Sequence, residues 1–63
     1  MNKDEFKGNW NILKGRVKQA WGELTDDEVD KIDGNYDELV GLVQKKTGQT
    51  REEAHKAVDA FFG

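Results

Sequence analysis

Gly8-Asn9-Trp10-Asn11-Ile12-Leu13-Lys14-Gly15-Arg16-Val17 aligns without a gap on Gly34-Asn35-Tyr36-Asp37-Glu38-Leu39-Val40-Gly41-Leu42-Val43. The two stretches share Gly, Asn, an aromatic residue, Leu, Gly and Val in the same order, and the register holds on to Gly22 and Gly48. Each copy is followed by a helix-start signal, Thr25-Asp26-Asp27-Glu28 after the first and Thr50-Arg51-Glu52-Glu53 after the second. A doubled unit of this kind reads as two helix-turn-helix pairs.

Within the first copy, Asn9 is placed to cap a helix whose apolar residues Trp10, Leu13, Val17, Ala20 and Trp21 recur at steps of three and four, forming one stripe. Gly22 is expected to supply a left-handed stop. Phe6 is in phase with that stripe, and Asn2 with Glu5 offers an earlier start. Thr25 and Glu28 form a capping box, with Leu24 and Val29 as its hydrophobic staple and Ile32 on the same face; Asp33-Gly34 closes this short helix. Asn35 opens a third helix with Tyr36, Leu39, Val40 and Val43 inward, Lys45 and Lys46 near its negative end, and Gly48 as its stop. Thr50 with Glu53 opens a fourth, whose apolar face is Ala54, Ala57, Val58, Phe61 and Phe62.

The expected fold is therefore all-α, with four short helices in one domain over residues 1–63. They form two helical hairpins, residues 9–33 and 35–62, packed roughly orthogonally around a shared core. That core is expected to hold Trp10, Leu13, Val17, Trp21, Leu24, Val29, Ile32, Tyr36, Leu39, Val43, Val58 and Phe61. A chain of 63 residues removes only about 60% of its unfolded surface from water, so stability is modest. Cysteine is absent, which excludes disulfides and thiolate metal sites as staples.

The net charge of -3 is unevenly spread: residues 1 to 23 carry five bases and three acids, whereas residues 25 to 38 carry seven acids and Lys31. An acidic chain suits nucleic acid poorly, since phosphate contacts need a positive surface. Lys3, Lys7, Lys14 and Lys18 fall on one flank of an extended first helix, beside Trp10 and Trp21. They read as a solvated face or, alternatively, as a ridge for nucleic acid or an anionic surface. The N-terminal residues lack the basic start and hydrophobic stretch of a secretory signal, and apolar runs are short, so a cytoplasmic location is expected, with no transmembrane segment.

Gly15 and Gly41 are the anomaly. A glycine in mid-helix costs about 1 kcal/mol relative to Ala. Either close packing within the domain, favoured by its size, uses the missing side chain, or another helix or a partner backbone approaches there. Together with Lys7, Lys14 and Lys18, they make up the candidate interaction surface. The acid run from Asp26 to Glu38 lacks the Asp-x-Asp-x-Asp-Gly alternation and the distant Glu of an EF-hand. His55 is the only histidine and reads as a surface residue. With no Ser-His-acid set, no phosphate-cradling glycine loop and no room for a concave pocket of several hundred cubic ångströms, the chain reads as a non-enzyme without catalytic residues, cofactor or metal.

The residues that carry the repeat also carry a resemblance. Asn9-Trp10, Lys14-Gly15-Arg16-Val17-Lys18, Trp21-Gly22-Glu23-Leu24-Thr25-Asp26-Asp27, Ile32-Asp33-Gly34 and Leu39-Val40-Gly41 with Gln44 and Gly48 resemble the CsbD-like family of small bacterial stress-response proteins. That resemblance implies a cytoplasmic protein made in quantity under general stress, with two orthogonal hairpins in a SAM-domain-like arrangement. It implies no catalytic residues. The expected function is a non-enzymatic interaction or protective module, with an unknown protein or a second copy as partner. The alternative is a nucleic-acid or anionic-surface binder using the lysine flank.

Overall fold

The computed structural model describes residues 3–62. All regular structure among them is helical: α1 (Lys3–Gly8), α2 (Trp10–Ala20), α3 (Asp26–Ile32), α4 (Tyr36–Thr47) and α5 (Arg51–Phe62). The all-α expectation holds, with five helices in place of four. The earlier start at Asn2 lies outside the described residues, as do the side chains of Lys3 and Phe62.

The extra helix is the main correction. Phe6 on α1 is 1% exposed, and its ring lies between the aromatic residues of the two repeats, 5.3 Å from Trp10 and 5.6 Å edge-on from Tyr36. A buried aromatic at this place ties the copies to each other, and α1 accordingly packs on both α2 and α4. Asn9 joins α1 to α2, with its backbone N–H and its side-chain amide both donating to the Glu5 carbonyl at 3.0 Å.

Two hairpin pairs then pack, α2 with α3 and α4 with α5, while α3 lies against α4. Of the expected core, Trp10, Leu13, Val17, Leu24, Val29, Ile32, Leu39, Val43 and Val58 are buried, joined by Phe6, Val40 and Ala54. Trp21, Tyr36 and Phe61 sit half-buried at its edge. Trp21 and Phe61 meet with ring centres 5.2 Å apart, and the Arg16 guanidinium stands over Phe61 at 5.5 Å. Aromatic pairs and a cation above a ring tolerate this partial exposure, because each ring keeps one face packed.

Both capping boxes form. Thr25 Oγ1 accepts from the Glu28 amide at 3.2 Å while the Thr25 amide donates to Glu28 Oε1 at 3.0 Å. Thr50 and Glu53 repeat the exchange at 3.1 and 3.0 Å. Gly48 closes α4 with φ +74° and donates to the Gln44 carbonyl. Gly22 does not act likewise. Among the described residues, the left-handed ones are Asp33, Gly34 and Gly48, and α2 ends instead at Trp21, with φ -125° and ψ 83°. Anchoring Trp21 on Phe61 takes the chain out of the helix one residue before the glycine is reached.

Candidate interaction surface

Lys7 is on α1, across the Asn9 turn from Lys14 and Lys18 on α2. Its backbone crosses the α3–α4 connection, with its Cα 3.0 Å from where a Cβ on Gly34 would stand. Lys18 is engaged with Asp26 at 3.0 Å, which is the acid that opens α3. Lys14 is half-buried and has no ion-pair partner among the described residues. Asp26 of α3 thus neutralises Lys18 within the fold.

Gly15 and Gly41 resolve differently from the favoured expectation. A Cβ built on either meets nothing within 4 Å, so close packing within the domain does not account for them. Gly15 faces solvent on α2, opposite the Leu13 and Val17 side. At 100° per residue it shares that outer side with Gln19 and Ile12. Ile12 is 71% exposed, the one large exposed hydrophobic residue among those described. It lies outside the Trp10, Leu13 and Val17 stripe.

Gly41 lies in an open groove of about 410 Å³ between α3 and α4, where Ile32 and Leu42 supply apolar wall. Glu28, Lys31, Glu38 and Lys45 surround it. A second open cleft, of about 470 Å³, is bounded by polar residues of α1 and the α3–α4 connection, including Asp4, Lys7 and Asp33. Both are furrows open to solvent, not enclosed cavities. No group of three or more His, Cys, Asp or Glu side chains among the described residues is placed to hold a metal ion.

The charged groups nearby serve the fold. Glu28 bonds Lys46 at 2.8 Å in addition to its cap; the Lys46 ammonium first, and the Thr25 amide second, bring its carboxyl from the ordinary 4.5 down to about 2. The Thr50 amide lowers Glu53 in the same way. On the far side, the Tyr36 hydroxyl donates to Asp59 Oδ1, and His55 Nδ1 lies 3.2 Å from Asp59 Oδ2. Burial, then the Asp59 carboxylate, push the Tyr36 hydroxyl well above the usual phenol range. His55 is on the surface as expected, although it also meets Tyr36 edge-on at 5.5 Å. This Tyr-Asp-His set pins α5 to the start of α4. Its histidine and aspartate are both exposed.

No helix among the described residues is long and apolar enough to cross a membrane. No solved structure matches the chain. The family sequence model described as CsbD-like matches residues 4–56. The chain is 49% identical over 61 residues to the UPF0337 protein YjbJ of Escherichia coli O6:H1, covering 97% of this chain and 88% of that one. A UPF0337 protein of Bordetella pertussis is 48% identical over 62 residues, covering 98% and 94%. The matched span runs from α1 into α5 and contains both copies of the repeat, Gly15, Gly41 and the groove between α3 and α4; this chain belongs to the CsbD-like family.

Proposed function

We propose that this chain is a non-enzymatic module of the bacterial general stress response, working in the cytoplasm through contact with another macromolecule. The observation that carries this reading is the pair of open mid-helix glycines. In a small domain with little stability to spare, two helix-weakening residues persist where no internal contact uses them. Their use then lies outside the fold. Membership of a stress-response family supports the physiological half of the reading.

Deletion of the gene, followed by osmotic and stationary-phase challenge, tests it. Survival is expected to fall in the deletion strain and to return with the wild-type gene. The Lys14→Glu/Lys18→Glu variant is expected to restore survival as well, since the lysines are not the contact. Undiminished survival without the gene would contradict the reading. A folded charge-reversal variant that fails to protect would favour a nucleic-acid or anionic-surface contact instead.

A further inference from the structure

We draw no further inference here: the strongest candidate, the open groove between α3 and α4 that Ile32, Gly41 and Leu42 line, carries none, because nothing in the structure shows what covers it.

Discussion

The same ten-residue word is used twice, and the two uses differ over its first three residues. Asn35 caps α4 by accepting from the Glu38 amide at 3.0 Å; Asn9, its counterpart, makes no side-chain cap and bonds back to Glu5. Gly34 is buried with φ +79°, beneath the backbone of α1, while Gly8 meets nothing and ends α1 with an ordinary backbone. Trp10 is buried at 6% exposure, while Tyr36 keeps its hydroxyl at the edge to reach Asp59. The difference traces to α1. One short helix before the first copy takes over the work of its cap, and the same helix lies across the glycine of the second. Leu13 with Leu39 and Val17 with Val43 are buried in both copies. The paired Leu and Val residues thus do identical work in the core, whereas at the Gly-Asn start of the word the neighbouring helix decides.

The largest test of this asymmetry is Phe6→Ala. If α1 is the tie between the repeats, removing its buried ring should cost about 3 to 5 kcal/mol in denaturant unfolding. A cost below about 1 kcal/mol would leave α1 as an appendage, since that is what surface substitutions typically give. Next comes the glycine pair. Gly34→Ala forces a left-handed alanine and sets its Cβ 3.0 Å from Lys7 Cα, for an expected loss of about 1 to 3 kcal/mol. Gly8→Ala meets nothing within 4 Å and should be neutral or mildly stabilising. Equal effects at the two glycines would break the comparison.

The asparagines give a smaller contrast of the same form. Asn35→Ala should cost about 1 kcal/mol through loss of the cap, and Asn9→Ala clearly less, by thermal or denaturant melting. The smallest effect is electrostatic. Glu28 has its carboxyl lowered from 4.5 to about 2 by Lys46 and Thr25, so its contribution is complete above pH 4.5 and is lost as pH falls toward 2. The melting temperature should decline over that window, and Glu28→Gln should flatten the decline. A decline of unchanged steepness in the variant would assign the acid sensitivity to other groups.

Most of the helical frame was legible because periodic stripes and side-chain caps are local signals. Thr25 with Glu28 and Thr50 with Glu53 announce themselves at three-residue spacing, and the structure places both as expected. The features that escaped depend on contacts between distant segments. Phe6 was visible in phase with the α2 stripe, yet its separate helix follows from Trp10 and Tyr36 meeting around it. Gly22 had the composition of a helix stop, and the packing of Trp21 on Phe61 ended α2 first. The surface was half legible. Gly15 and Gly41 stood out by breaking helix propensity, whereas whether their missing side chains met neighbours could be read only in three dimensions. Ile12 and the groove between α3 and α4 left no sequence signal, since one exposed aliphatic residue in a helix is unremarkable.

The central claim is that Gly15 and Gly41 weaken the fold and serve a surface. Its most direct test is the melting temperature of a Gly15→Leu/Gly41→Leu variant, measured beside its ability to restore stress survival in the deletion strain. Leucine propagates a helix about 0.6 to 1 kcal/mol better than glycine per site, and at either position its Cβ meets nothing within 4 Å. The account predicts a more stable protein that no longer protects. A more stable protein that protects as well as wild type would contradict it.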